Sequence, residues 1–175
     1  MDFVDERSVE QYWGDLSPGE HVDAVSQVAS MIITLQSIPL FQKQQQQPGP
    51  AGCRNCVAHG YWFTGLGAGP FDSREHVETW LNRQLEITQK FHQALDTVPP
   101  SHFDRLVLTH LDISPRNLIL GPDAKIWLID WGDAGIYPEG FEIASLKARR
   151  FEAPEYTDML LEMLSKKSPM HEDLT

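Results

Sequence analysis

Two short apolar runs joined by a turn-forming segment constrain the fold of this chain more than any other feature. Residues 117–120 and 125–129 are the two runs, and residues 121–124, with the sequence Gly-Pro-Asp-Ala, lie between them. Runs of this length around Gly, Pro and Asp predict the two strands of a β-hairpin. The hairpin would bring Asn117 and Asp130, which stand at its two ends, close together.

A second group of polar residues precedes the hairpin. The apolar run at residues 106–108 predicts a further strand, and His110 and Asp112 follow it closely. A carboxylate on a loop just after a strand can project into a cleft and accept a proton. The amide oxygen of Asn117 and the carboxylate of Asp130 are hard oxygen ligands of the kind that Mg²⁺ prefers. The pattern therefore predicts a base, Asp112, beside a metal site formed by Asn117 and Asp130.

The spacing of these residues is typical of kinase-type phosphoryl transfer. An Asp stands two residues after a His, an Asn stands five residues after that Asp, and another Asp ends the second apolar run. Phosphoryl transfer needs an oriented acceptor hydroxyl and a divalent cation on the phosphate oxygens. We therefore expect ATP and Mg²⁺ as cofactors if the chain is a phosphotransferase.

The segment resembles the C-terminal lobe of the aminoglycoside phosphotransferase and choline kinase-like family, especially its fungal small-molecule kinase-like branch. Residues 69–73 and 129–140 are similar to that branch, and residues 1–5 resemble the hinge between two lobes. The resemblance extends to about Phe151. It implies an α+β fold, mostly α, in which helices surround short β-hairpins and the N-terminal nucleotide lobe is absent.

The resemblance also implies roles for individual residues. Asp112 would be the catalytic base, and Asn117 and Asp130 would hold the metal and, through it, the nucleotide. His110 would support the catalytic loop rather than transfer the proton. Arg116 could touch a phosphate or orient Asp112, and the alternative for it is a salt bridge to a nearby acid.

Two departures from the family pattern affect these expectations. Leu111 stands where the family usually has Gly, so its bulk is expected to alter the loop or the acceptor pocket. No Gly-rich phosphate loop or strand Lys precedes the hinge-like start at residues 1–7. We therefore expect half of the ATP site to be absent and the chain alone to be incomplete as a kinase.

Two alternative functions stay open at this point. The same cleft could perform cofactor-free acid–base chemistry in secondary metabolism, such as a cyclisation, dehydration or isomerisation of a small-molecule substrate. The chain could instead be a non-catalytic, pseudokinase-like binding module. A homodimer or a partner chain would then cover the exposed inter-lobe face.

Composition excludes several classes of function. The net charge of −11 argues against a nucleic-acid partner, which requires a basic face. No apolar run approaches the roughly 20 residues that cross a bilayer, so no membrane partner is expected. The acidic N-terminus is unlike a secretory signal, and we expect a cytoplasmic location.

Capping signals and apolar periodicity predict four helices. Ser17, followed by Pro and then by Glu at the third position after it, predicts a helix over residues 18–37. A second helix is expected from a cap at Asp72 to the Pro-Pro pair that begins at Pro99. The last two are predicted over residues 140–150 and 154–165.

The length of 175 residues predicts a single domain. Its expected parts are the hinge-like start at residues 1–7, a flexible Gln- and Pro-rich loop at 42–50, the catalytic and metal-binding hairpins at 106–133, and a C-terminal helix and tail at 152–175.

Cys53 and Cys56 form a Cys-x-x-Cys pair with His59 nearby. A structural zinc site needs four protein ligands, and no second pair follows. A disulfide is unfavourable in the expected cytoplasmic location. We therefore predict that both cysteines lie in a passive loop, with a metal or redox role as the alternative.

Overall fold

A computed structural model describes residues 7–40, 47–53, 55–60, 63 and 66–167. Parts of three predicted segments lie outside the described residues: 1–6 of the hinge-like start, 42–46 of the Gln-rich loop, and 168–175 of the tail.

Helix α2 (Pro18–Ser37) confirms the prediction at both ends and follows the short helix α1 (Val9–Tyr12). A capping box fixes its start, because the Ser17 hydroxyl accepts the Glu20 backbone N–H at 3.4 Å and the Glu20 carboxylate accepts the Ser17 N–H at 2.7 Å. Its apolar stripe faces the interior. The buried apolar residues of α2 are Ala24, Val25, Val28, Ala29 and Ile32.

Helix α3 (Arg74–Lys90) begins one residue away from the predicted cap. Ser73 is the N-cap, and its hydroxyl accepts the backbone N–H of His76 at 3.2 Å. The prediction of Asp72 as the cap is therefore wrong. A hydroxyl one position further along reaches the exposed N–H of the first turn, which needs an acceptor.

The same helix ends at Lys90 and not at Pro99. His92 has a left-handed backbone with φ of +56°, which an α-helix does not accommodate. Phe91 and Leu95 lie within the predicted span of the helix, but they are 66% and 74% exposed. Their apolar side chains continue the helical pattern along the sequence, although the backbone has already left the helix at Lys90.

A three-stranded antiparallel sheet combines β1 (Gly49–Pro50), β2 (Leu106–Thr109) and β5 (Gly135–Pro138) in the order β1-β5-β2. The strand predicted near residue 106 is confirmed as β2, whereas the sequence analysis predicted no strand at β5. The prediction that the Gln- and Pro-rich loop at 42–50 is flexible to its end is wrong, because Gly49 and Pro50 form strand β1. This strand pairs with β5 because Gly135 lets the strands approach: a Cβ there would lie 2.4 Å from the carbonyl oxygen of Gly49.

The predicted hairpin is confirmed as β3 (Leu118–Leu120) and β4 (Ile126–Leu128), with Leu118 opposite Leu128. Asn117 lies in a 3₁₀ turn, Pro115–Asn117, and not in the strand itself. The turn carries the loop of Asp112 directly into the hairpin.

Two further helices complete the described chain, α4 (Phe141–Ala148) and α5 (Pro154–Lys167). One core cluster joins α2, α4 and α5 with the β3–β4 hairpin, and Tyr156 and Leu160 of α5 lie in it. A second cluster lies around Phe71 and Tyr137, beside β2 and α3. The loop of Asp112 runs between the two clusters, because Ile113 packs in the first and Leu111 in the second.

Cys53 and Cys56 are joined by a disulfide, so the expectation that a disulfide is unfavourable here is wrong. The two Cα atoms are 5.7 Å apart, a separation at which a disulfide forms readily. The Pro50 carbonyl accepts the Cys53 N–H at 3.3 Å. This turn directly after β1 brings the two side chains together.

The described residues therefore form a mixed fold of helices and small antiparallel sheets, which is consistent with a kinase-like fold. None of the helices in the described part of the chain is long and apolar enough to cross a membrane.

Candidate functional site

The hairpin holds the two candidate metal ligands at its open end. The carbonyl oxygen of Asn117 accepts the backbone N–H of Ile129 at 3.0 Å, which extends the β3–β4 ladder by one bond. Asp130 follows Ile129 directly. The two segments that the sequence predicted to meet are thus neighbours in the structure.

Asp112 and Asn117 are in direct contact. The Asn117 side-chain amide donates to the Asp112 carbonyl and to Asp112 Oδ2, both at 2.9 Å. Asn117 is buried and the Asp112 side chain is 14% exposed. Because the amide N–H₂ group of Asn117 is used in this way, its Oδ1 is the atom left to bind a cation.

Asp130 lies at the surface with a left-handed backbone, φ +60°. Its carboxylate accepts no hydrogen bond from the described residues, so both oxygens are available to a ligand. One amide oxygen and one carboxylate fit Mg²⁺, which commonly takes one or two protein oxygens and completes its shell with phosphate and water. Among the described residues, no cluster of three or more His, Cys, Asp or Glu could hold a metal.

His110 is fully buried, and both of its ring nitrogens contact backbone groups. Nε2 lies 3.1 Å from the carbonyl oxygen of Ile129, and Nδ1 lies 3.3 Å from the backbone nitrogen of Asp112. These contacts fit a neutral ring that donates from Nε2 and accepts at Nδ1. Burial lowers the pKa of His110, which favours the neutral form.

Trp131 packs edge-on against the His110 ring, with the ring centroids 4.8 Å apart. Its indole N–H donates to the Leu128 carbonyl at 3.2 Å. His110 therefore connects the Asp112 loop to the strand that leads to Asp130. This geometry agrees with a supporting role for His110.

Glu142 in α4 anchors the same loop, and the sequence analysis did not identify it. Its carboxylate accepts the backbone N–H of His110 at 2.6 Å and that of Leu111 at 3.1 Å. Ser145, on the next turn of α4, donates to the Leu111 carbonyl at 2.8 Å. The available signal was an acidic residue between Phe141 and Ile143 in a mostly apolar short helix, where a buried charge needs a partner.

Burial raises the pKa of Glu142 to about 7, although the two backbone N–H groups act in the opposite direction. The negative charge of Asp112 raises it further. Glu142 is therefore a titratable group beneath the candidate base at neutral pH.

Leu111, between His110 and Asp112, has a left-handed backbone with φ of +66°. This conformation is strained for a side chain with a Cβ but is open to Gly. The Leu111 side chain is 2% exposed and packs in the cluster around Phe71 and Tyr137. Its bulk therefore fills the core, and the expectation that it alters the loop or the acceptor pocket stays a prediction.

Arg116 binds the candidate base directly. Its guanidinium donates to the two carboxylate oxygens of Asp112 at 2.6 and 2.8 Å and to Glu152 at 2.8 Å. Arg116 thus orients Asp112 and also forms a salt bridge to an acid, two of the three roles considered for it.

Arg149, just after α4, also contacts Asp112 and was not predicted. It donates to Asp112 Oδ1, and it binds both Glu152 oxygens at 3.0 Å. Hydrogen bonds from Arg149, and then from Arg116, lower the pKa of Glu152. The result is a closed ion-pair network of two acids and two arginines at the candidate base.

A sequence comparison shows the family of the chain. Helices and small antiparallel sheets around a loop-and-hairpin site are consistent with a kinase-like fold. A sequence model of the phosphotransferase enzyme family, APH, matches residues 1–171. The chain therefore belongs to the phosphotransferase enzyme family. A search of curated proteins found no match.

Proposed function

We propose that this chain is the catalytic lobe of an ATP- and Mg²⁺-dependent phosphotransferase that acts on a small-molecule hydroxyl or amine. We further propose that it corresponds to the C-terminal lobe of the fungal small-molecule kinase-like branch. The observation that carries the proposal is the contact between Asn117 and Asp112, at a hairpin whose other strand leads to Asp130. Family membership supports the reaction class.

In the proposed reaction, the acceptor's hydroxyl oxygen or amine nitrogen bonds to the γ-phosphorus of ATP while the bond from that phosphorus to the β–γ bridging oxygen breaks. Asp112 accepts the acceptor's proton, and ADP leaves with the electron pair of the broken bond. Asn117 keeps the Asp112 carboxylate oriented through its amide N–H₂ group. His110 and Glu142 hold the loop backbone in place.

Asn117 Oδ1 and the Asp130 carboxylate would hold the metal. When bound, Mg²⁺ would neutralise charge on the transferring phosphate oxygens. Since the two side chains supply only part of an octahedral shell, nucleotide oxygens and water would fill the other positions. Metal and nucleotide binding are therefore expected to depend on each other.

Isothermal titration of the chain with ATP and Mg²⁺ tests the proposal. We expect binding that requires Mg²⁺ and is lost in Asp130→Asn. A matched control is Asp158→Asn, because Asp158 is a half-exposed acid paired with Arg150 outside the site. No detectable binding by the unmodified chain, or an equal loss in both variants, would refute the proposal for this chain.

A second candidate function is a binding module whose partner is a second copy of this chain. It is favoured by the exposed apolar surface of Trp127, Ile129 and Trp131, which are 58%, 37% and 46% exposed. A two-fold contact would place this same surface on both sides of the interface. Light scattering should then show a dimer that Trp127→Ser dissociates, whereas a monomer at every concentration would refute the module.

A further inference from the structure

We propose that Arg116 and Arg149 form a recognition site for an anionic group, phosphate or carboxylate, on the acceptor molecule. The inference rests on the proposed function, because it names the class of acceptor that would reach Asp112. It starts from the hydrogen bonds that already surround this carboxylate.

The carboxylate of Asp112 is saturated with hydrogen bonds. Arg116 donates to both of its oxygens, Arg149 to Oδ1 and Asn117 to Oδ2. A carboxylate offers about four acceptor positions. An acceptor hydroxyl can therefore reach Asp112 only by replacing one of these donors.

Arg149 is the donor that yields most readily. Its Nε and one terminal nitrogen are already bound by Glu152 at 3.0 Å, so the guanidinium keeps its position when the other terminal nitrogen leaves Asp112. Arg116 makes two contacts to the carboxylate where Arg149 makes one, and Asn117 makes its contacts to Asp112 with one buried amide nitrogen, so releasing either costs more than releasing Arg149. The released N–H group of Arg149 then needs a new acceptor.

The two guanidinium groups also have donors to spare. Together they carry about ten N–H bonds, and only six contacts to Asp112 and Glu152 use them among the described residues. The side chains are 37% exposed for Arg116 and 19% exposed for Arg149, so solvent and ligands can reach them. Glu152 fixes both guanidinium groups before any ligand arrives.

An acceptor that carries an anionic group can both replace Arg149 on Asp112 and bind the unused N–H groups of the two arginines. Its hydroxyl takes the position that Arg149 leaves on Asp112, and its anionic oxygens accept the unused N–H groups. Planar guanidinium groups bind phosphate and carboxylate in a two-pronged geometry, which makes them suitable for this recognition. The net charge of −11 opposes non-specific anion binding elsewhere on the chain.

Titration with inorganic phosphate, and separately with malonate, tests the inference in the presence of EDTA and without nucleotide. Arg149→Gln should weaken binding roughly tenfold, as expected for a charged hydrogen bond at a partly exposed site. Arg150→Gln is the matched control, because the neighbouring Arg150 pairs with the exposed Asp158 and does not contact Asp112. It should bind like the unmodified chain.

Binding of either anion with the expected Arg149 dependence supports the inference, and binding of neither overturns it. An equal loss in the Arg149 and Arg150 variants overturns it as well. If circular dichroism shows that Arg149→Gln does not fold, two other variants, Arg149→Lys and Arg116→Gln, replace it. If both fold and both bind the anions as tightly as the unmodified chain, the inference is contradicted. Since no metal or nucleotide is present, this outcome is independent of the ATP titration.

Discussion

The carboxylate of Glu142 accepts the backbone N–H of His110 at 2.6 Å, and this contact ties helix α4 to the loop that carries Asp112. Glu142 is 1% exposed and also accepts the N–H of Leu111. The position of the candidate base therefore depends on an acid that would not itself touch the substrate.

Removal of the Glu142 carboxylate should destabilise the fold. Glu142→Ala leaves two backbone N–H groups without acceptors, and we expect a loss of about 2–4 kcal/mol in the free energy of unfolding by urea. Asp158→Ala is the control, because Asp158 is half exposed and pairs with the half-exposed Arg150. That control should leave stability nearly unchanged. Similar losses in the two variants would contradict the anchoring role.

Stability should depend on pH through Glu142. Its folded-state pKa of about 7 is raised from the ordinary 4.5, so the folded protein retains a proton that the unfolded chain has released between these values. The stability that this proton contributes is complete below about pH 4.5 and is lost as the pH rises through about 7. From about pH 5 to 8, the free energy of unfolding of the unmodified chain should fall by roughly 2–3 kcal/mol relative to that of Glu142→Gln.

The lowered pKa of His110 acts in the opposite direction, because its neutral form stabilises the fold as the pH rises. The contribution of His110 is present both in the unmodified chain and in Glu142→Gln, so it cancels when one unfolding free energy is subtracted from the other. A difference between the unmodified chain and Glu142→Gln that stays constant with pH would show that Glu142 titrates normally.

The left-handed backbone at Leu111 can be tested with a pair of substitutions. Both Leu111→Gly and Leu111→Ala remove the buried side chain, but only Gly relieves the strain at φ +66°. The Gly variant should therefore be more stable than the Ala variant by about 1 kcal/mol. At Leu118, where φ is −117°, the order should reverse. Thermal unfolding of the four variants gives both comparisons, and the same order at both positions would be inconsistent with strain at Leu111.

The start of α3 provides a further test. Ser73→Ala removes the hydroxyl that accepts the His76 N–H and should cost about 1 kcal/mol. Asp72→Ala should be close to neutral, because Asp72 is not the cap. Chemical denaturation distinguishes the two, and a larger loss for Asp72→Ala would restore the cap that the sequence alone predicted.

Local patterns predicted those elements whose signals are local. The capping box at Ser17 and the turn-rich segment between two apolar runs were sufficient for α2 and for the β3–β4 hairpin. The end of α3 was missed because Phe91 and Leu95 continue an apolar pattern after the chain has turned. Strand β5 was missed because a partner distant in sequence, β2, determines its pairing.

The candidate site divides in the same way. Asp112, Asn117 and Asp130 are recognisable from spacing along the chain, since one loop and one hairpin carry all three. Glu142 and Arg149 reach the loop from α4 and its end, through contacts between residues more than thirty positions apart. The local sequence marks Glu142 as an acid in need of a partner, but it does not indicate which residues Glu142 and Arg149 contact.

The most direct test of the account is a Mn²⁺ titration of ¹⁵N-labelled protein with ADP present, because Mn²⁺ replaces Mg²⁺ at oxygen sites and broadens nearby NMR signals. The account predicts selective broadening at Asp112, Asn117 and the segment around Asp130, and loss of this broadening in Asp130→Asn. Broadening spread over the acidic surface, unchanged by Asp130→Asn, would contradict the claim that Asn117 and Asp130 form one metal site beside the base.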